Sequence, residues 1–396
     1  MQWSPKQDAA LLKVSRWLTD SDQQVFRVFG HAGSGKTTLA RHFAETQSGT
    51  FAYGAYTGKA ALVMRQRGCV GATTLHRLAY KPQMRSASKL QDMLAERDTE
   101  PDGSARADRL DWLIKEEREA LAAPSFSVQS DSILEGLGLL VVDECSMVNK
   151  KMGNDLMQFG CKILVLGDPA QLPPVGGEGF FTNCEPDVML DEIHRQALES
   201  PVIRLATDVR EGRRLSLGDY GTSRVVPKGA LTDDDLLGYD QIIVGRNKTR
   251  KASNRFIRKL LGFEGHLPMP DDRLVCLRNN HDEGLLNGQL WNVAGAYDLG
   301  DVDAMSLDLV DPDDDKNQLT TLGHKATFED RHLEYFDRLD ANEFDFGYAL
   351  TCHKSQGSQW QSVLVRDESE CFRPVQRNWL YTALTRAADR VTVIKD

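Results

Sequence analysis

The chain lacks the marks of a secreted or membrane-bound protein. Its seven cysteines are odd in number and include no C-x-x-C pair, which argues against a disulfide framework and against a structural zinc site. Reduced thiols in a cytoplasmic setting, bacterial or that of a phage host, are the expectation. No apolar run is long enough to span a bilayer; the longest candidate, Leu137 to Val142, is strand-sized and ends in Asp143-Glu144. The N-terminal Met1-Gln2-Trp3-Ser4-Pro5-Lys6 has no apolar signal core, so neither export nor membrane association is expected. Net positive charge is missing as well. A formal charge of −10 taken alone speaks against a polyanionic partner.

The distribution of charge tempers that exclusion. From Arg246 to Lys259 the chain carries Lys248, Arg250, Lys251, Arg255 and Arg258 with no acid among them, while acids gather in 308–315 and 329–345. A second basic stretch runs from Lys59 to Lys89. Such segregation of sign makes a polyanion groove an expectation to test.

What is present is strongest at Gly30-His31-Ala32-Gly33-Ser34-Gly35-Lys36-Thr37, a G-x-x-x-x-G-K-T phosphate-binding loop. A β-type run, Gln24 to Phe29, precedes it, and a helical pattern from Thr38 follows. The glycines let backbone N–H groups turn toward phosphate oxygens, and the helix N-terminus adds its dipole. Lys36 then reaches the β- and γ-phosphates and Thr37 holds magnesium. Val141-Val142-Asp143-Glu144 delivers two carboxylates at the end of a buried strand. In a phosphate-loop enzyme one acid holds magnesium and the next takes the proton of the attacking water, which assigns Asp143 and Glu144 in that order. Gly167-Asp168-Pro169-Ala170-Gln171-Leu172-Pro173-Pro174-Val175 ends a further strand in a proline-framed loop that can aim Gln171 at the γ-phosphate.

Strands alternate with helices throughout, predicting an α/β protein with parallel sheets and ligands at the strand carboxyl ends. At this length two units are expected: 1–190, with a helix-prone insertion at about 82–131, and 191–396, with an insertion at about 267–341. In the second insertion short β-type runs joined by turns such as Asn287-Gly288 predict a small β-barrel. Ser4 and Pro5 predict a capped first helix with Leu11, Val14 and Leu18 on one face.

These motifs, in this order, resemble superfamily 1 helicases, in particular the RecD/Dda-like 5′→3′ branch, superfamily 1B. The resemblance implies two tandem RecA-like domains, an SH3-like barrel insertion, and ATP with Mg2+ as cofactors. It matches Gln7 to an adenine-reading glutamine and places Gly30, Ala32, Gly33, Ser34, Gly35, Lys36, Thr37, Thr38 and Gly357 around the nucleotide. His194-Arg195-Gln196 and Tyr381-Thr382-Ala383-Leu384-Thr385-Arg386-Ala387 match arginine-bearing motifs, making Arg195 and Arg386 expected fingers beside Lys36, Glu144 and Gln171. Thr57-Gly58-Lys59-Ala60-Ala61, Ala72 to His76 and Thr351 to Ser358 match strand-contacting motifs. Thr57, Lys59, Thr74, His76, Asn247, Thr351 and His353 are the expected contacts to single-stranded DNA.

Two departures stand out: Tyr56 where the family has proline, and Gln359 where it commonly has glutamate. In relatives the first insertion bears a duplex-splitting pin; Phe126 and Trp112 are candidates, although a core position is the expectation for each. Trp379 and Tyr348 are offered by composition for base stacking but are likewise expected in the core. The implied partners are single-stranded and forked DNA and proteins of replication or recombination, acting on a monomer. An RNA track, or a nucleotide-switched clamp without unwinding, are the competing readings.

Overall fold

A computed structural model of the chain describes residues 3–46, 49–82, 88–122, 126–129, 131–174, 177–191, 200–280, 282–331, 333 and 341–395. The first sheet is built from β1 (Val25–Gly30), β2 (Phe51–Ala55), β3 (Thr73–Thr74), β6 (Leu139–Asp143), β7 (Lys162–Gly167) and β8 (Val188–Leu190), while β4 (Tyr80–Pro82) and β5 (Phe126–Val128) pair separately as an antiparallel ribbon. The order in the sheet is β3-β2-β6-β7-β1-β8, and every pairing is parallel. Leu140, Val141, Val142, Ile163, Leu164, Val165 and Leu166 are all fully buried. Near-continuous apolar runs of this kind are what a sheet covered on both faces requires.

The covering helices follow from local sequence. In α1 (Pro5–Asp20) the Ser4 side chain accepts from the Gln7 backbone and Gln7 reaches back to Ser4, a reciprocal cap that satisfies two otherwise orphaned donors. Its buried stripe is Gln7, Ala10, Val14 and Trp17 rather than the expected face of Leu11, Val14 and Leu18. Leu11 and Leu18 pack at the margin of that core, because the apolar ring of Trp17 takes the central position. Next come α2 (Lys36–Thr46), α3 (Gly58–Gln66) and α4 (Leu75–Ala79). In the first insertion α5 (Ser88–Asp98) and α6 (Ala105–Ala122) pack through Leu90, Leu110 and Ile114. Trp112, expected in the core, is 56% exposed. Two residues beyond Leu110, it points away from the face that α6 buries.

The second sheet contains β9 (Gly218–Tyr220), β10 (Ser223–Pro227), β11 (Gln241–Val244), β17 (Ala349–Thr351), β18 (Trp360–Arg366) and β19 (Ala387–Lys395), in the order β17-β11-β18-β19-β10-β9. All its pairs are parallel except β9 with β10. Between β11 and β17 lie β12 (Arg273–Cys276), β13 (Leu290–Asp298), β14 (Ala304–Asp311), β15 (Asp314–His324) and β16 (Phe344–Phe346). They form one antiparallel sheet in the order β15-β14-β13-β12-β16, which reaches past the expected boundary at 341.

That sheet changes the meaning of the basic run. In the helix Asn247–Leu260, Arg250 pairs with Asp345 (2.6 Å), Lys251 and Arg255 pair with Asp330, and buried Arg258 pairs with Asp272 (3.0 Å). Arg246, just before the helix, pairs with Glu368. Most of this run is thus paired with acids from elsewhere in the chain, two of them, Asp330 and Asp345, from the acidic block at 329–345. Among the described residues no helix is long and apolar enough to cross a membrane.

Candidate active site

In the first sheet β7 lies between β1 and β6. The carboxyl edge therefore presents the phosphate loop, then Asp168 and Gln171, then Asp143 and Glu144. Gly33 and Gly35 hold φ of +80° and +76°, conformations that glycine adopts without a Cβ penalty. At Gly30 a Cβ would stand 2.5 Å from Ser34 Oγ and 2.8 Å from the Leu190 carbonyl. Lys36, opening α2, donates to the carbonyls of Gly30 (2.6 Å) and His31 (3.1 Å). Beside it Thr37 Oγ1 donates to Asp143 Oδ2 at 2.7 Å, and Asp143 Oδ1 accepts from the Glu144 N–H. Ala32, Gly33, half-buried Gly35 and Thr38, and buried Ser34 complete the loop. Gln7 is buried against it, its Nε2 donating to the Ser34 carbonyl at 3.2 Å.

A cavity of about 160 Å³ opens here. Lys36, Thr37, Asp143, Glu144 and Gln171 line one wall, and Gly357, Ser358, Gln359, Thr385 and Arg386 the other. The second wall belongs to the second sheet, since Arg386 directly precedes β19 and Gly357 follows β17. Arg386 is 5% exposed and is held by bonds to the carbonyls of Thr382 and Ser358 and to Thr385 Oγ1. Gln171 is buried, and among the described residues its Oε1 has no hydrogen-bond partner. A buried, unmatched acceptor of this kind costs free energy unless something fills the site.

The electrostatics are those of an anion site with an acid poised beside it. Burial pushes the Glu144 carboxyl up; the Arg386 and Lys36 cations oppose that rise, and Asp143 and Asp168 add to it. At Asp168 burial also works against the charge, but hydrogen bonds from His31 and Tyr381, with the charge of Lys36, outweigh it and hold the carboxyl low. Thr37 and Asp143 supply two hard oxygen donors. Among the described residues no cluster of three or more His, Cys, Asp or Glu could hold a metal alone. That donor set fits magnesium, which takes one or two protein oxygens and completes its octahedron with phosphates and water.

The two walls are stitched by short bonds. The Leu172 N–H donates to Thr382 Oγ1 (2.8 Å), Gln356 Nε2 to the Leu172 carbonyl (3.1 Å), and Asn378 Nδ2 to the carbonyls of Ala170 and Gln171. Tyr381 OH donates to Asp168 Oδ2 (2.6 Å) and accepts from the Ala32 N–H (3.2 Å). Sequence reasoning assigned no role to His31, Asp168, Asn378 or Tyr381, and left Gln359 aside as a departure from the family. Asp168 and Tyr381 fall inside motifs that could have raised them; Asn378 has no such signal. Arg195, with its whole motif 194–196, lies outside the described residues.

The expected strand contacts sit at carboxyl edges. Ala55 pairs with Thr73's neighbour Thr74, and Val244 with Thr351, so Thr57 and Thr74 share one edge while Asn247 and Thr351 share another. Their side chains differ in what else they do. Thr57 and Thr74 cap α3 and α4, and Thr74 is buried. Lys59 pairs with Asp313 at 2.9 Å. His76 packs between the rings of Tyr56 and Tyr80, and His353 against Phe372; burial lowers the pKa of both histidines. Tyr56, the departure from proline, thus braces His76. Asn247 is exposed. Trp379 and Tyr348 are buried, as expected of core residues. The Phe126 side chain lies outside the described residues.

A family model described as an AAA domain matches residues 2–229, and one described as a UvrD-like helicase C-terminal domain matches residues 346–394. Among curated proteins, the ATP-dependent RecD2 DNA helicase of Deinococcus radiodurans is 28% identical over 279 residues, covering 64% of this chain and 35% of its own length. The conjugal transfer protein TraA of Agrobacterium fabrum is 26% identical over 289 residues, 64% of this chain and 24% of its own length. The chain therefore spans only 24–35% of the length of these relatives. Among solved structures, the Pif1 helicase from Bacteroides in complex with ADP-AlF3 and ssDNA superposes with a TM-score of 0.55 at 20% identity, covering 99% of this chain and 92% of that one. The Pif1 helicase from Candida albicans gives 0.54 at 19% identity, covering 100% and 95%. At these identities the structural likeness speaks to the fold.

Proposed function

This chain belongs to the AAA-domain family, and from that premise we propose that it is a superfamily 1B helicase, an ATP-driven motor moving 5′→3′ along single-stranded DNA and unwinding duplex ahead of it. The observation that carries this is the cavity in which Lys36, Thr37, Asp143 and Glu144 face Gly357 and Arg386 across two sheets. The reading divides the chain near residue 190 into two RecA-like domains. The antiparallel sheet within 267–346 serves as the SH3-like insertion.

In this mechanism the loop amides and Lys36 hold the β- and γ-phosphates, with Gln7 at the base end. Thr37 and Asp143 would hold magnesium, which would supply charge neutralisation at the phosphates. Glu144 orients the attacking water and receives its proton, a role suited to a carboxylate whose pKa burial raises. Gln171 contacts the γ-phosphoryl from the floor. Arg386 and Arg195 meet the developing charge from the second domain, so turnover requires closure. Closure and reopening shift Thr57, Lys59, Thr74 and His76 relative to Asn247, Thr351 and His353, and alternate grip becomes movement. Solved Pif1 structures are described with single-stranded DNA and with forked duplex, which supports those partners here. A cytoplasmic monomer recruited by replication or recombination proteins fits the same reading.

The test is strand displacement on forks carrying one single-stranded tail. Unwinding with the 5′ tail is expected. Unwinding confined to the 3′ tail overturns the polarity, and unwinding of RNA forks alone would point to an RNA track.

A further inference from the structure

Tyr381 is 2% exposed, on the helix Gln376–Leu384 that ends two residues before Arg386. Its hydroxyl reaches across the cleft and touches two separate segments. It donates to Asp168 Oδ2 at 2.6 Å, at the end of β7, and accepts from the Ala32 N–H at 3.2 Å, in the phosphate loop. Asp168 is itself 1% exposed. Its other oxygen accepts from the Ala170 N–H (3.0 Å) and faces His31 Nδ1 (3.3 Å). The His31 ring meets the Tyr381 ring edge-on, with centroids 6.5 Å apart.

We propose that Tyr381 is a positioning residue: its hydroxyl latches the helix leading into Arg386 onto Asp168 and the phosphate loop, so that Arg386 is seated only when both halves of the site meet. The inference rests on the ATP-hydrolysis reading above. Packing alone does not account for the hydroxyl, since a phenylalanine would fill the same space and keep the edge contact with His31. A buried hydroxyl and a buried carboxylate oxygen each need a partner, and here each is the other's. When the cleft opens, both exchange that partner for water. The bond is therefore made by closure and lost on opening, and it lies within the connection between the phosphate-sensing loop and the arginine. The cross-cleft bonds at Thr382, Gln356 and Asn378 join the two halves without touching the phosphate loop.

The experiment compares the full chain with Tyr381→Phe. Steady-state ATP turnover is measured with saturating single-stranded oligonucleotide, and binding of fluorescent ADP with and without aluminium fluoride. Loss of a hydrogen bond to a buried charge should lower kcat by about ten- to a hundredfold. ADP binding, which needs only the loop, should stay within about twofold, and the extra tightening by aluminium fluoride should fall by at least about tenfold. Turnover and aluminium fluoride capture that match the parent overturn the latch; so does an equal weakening of ADP and ADP–aluminium fluoride, which marks a purely structural residue. If Tyr381→Phe gives no cooperative melt, Asp168→Asn is read by the same split, and its absence overturns the latch. A parent chain that binds ADP but hydrolyses no ATP fails the underlying reading instead, and the latch falls with it.

Discussion

At Gly357 the two halves of the site approach closely through a residue with no side chain. Its φ is +79°, and a Cβ built there would stand 2.8 Å from Ala60 Cβ, 3.1 Å from Thr57 Oγ1 and 3.3 Å from Ala60 Cα, all on the first sheet's α3 or its cap. Gly357→Ala therefore has two separable consequences. The left-handed backbone costs an L-residue about 1–2 kcal/mol, a melting temperature lower by roughly 2–8 °C for units of this size. The methyl group also meets carbon well inside the usual contact of about 3.5–4.0 Å, so the walls must part by about 1 Å. Arg386 lies on the wall that moves, and a misplacement of that size costs up to about a hundredfold in rate. Turnover should thus fall by about ten- to a hundredfold while ADP binding to the phosphate loop changes by less than about threefold. Turnover within about twofold of the parent, alongside the lowered melting temperature, would refute the claim that this contact sets closure.

Glu144→Gln should bind nucleotide normally and lose about 10²–10⁴ in turnover, as expected when a general base is removed; unchanged turnover would move the role elsewhere. Glu368 offers a pH test. Its buried carboxylate accepts from the Gly245 and Arg246 N–H groups, the Arg246 guanidinium and Thr249 Oγ1. Burial pushes its pKa up, but these bonds outweigh it and hold the carboxyl below the ordinary range. Its contribution is therefore present above the unfolded pKa and disappears as pH falls through the folded one. Glu368→Gln should cost about 2–3 kcal/mol near neutrality, and denaturant midpoints of parent and variant should converge as pH falls below the ordinary carboxylate range.

What could be read from the sequence was local. The phosphate loop, the acids after β6 and the cap of α1 each depend on a few neighbouring residues, and their positions follow from strand and helix periodicity. The order of the strands does not. That β7 sits between β1 and β6, bringing Gln171 between Lys36 and Glu144, is set by long-range pairing. Tyr381 and Asn378 gain their meaning from bonds to residues more than two hundred positions away. The basic run was misleading for the same reason: Arg250, Lys251, Arg255 and Arg258 look unopposed in sequence, yet their acids arrive from the inserted sheet and its flanks. Short edge elements such as β4, β5 and β8 carry too few residues for a period to show.

The central claim is that a nucleotide cleft closed between two sheets drives movement on single-stranded DNA. ATP hydrolysis by the full chain, titrated with a single-stranded DNA oligonucleotide at one fixed salt concentration, tests it most directly. The account predicts turnover that rises many-fold to saturation and is abolished at every DNA concentration by Lys36→Ala. Turnover that is indifferent to DNA, or that survives Lys36→Ala, would contradict it.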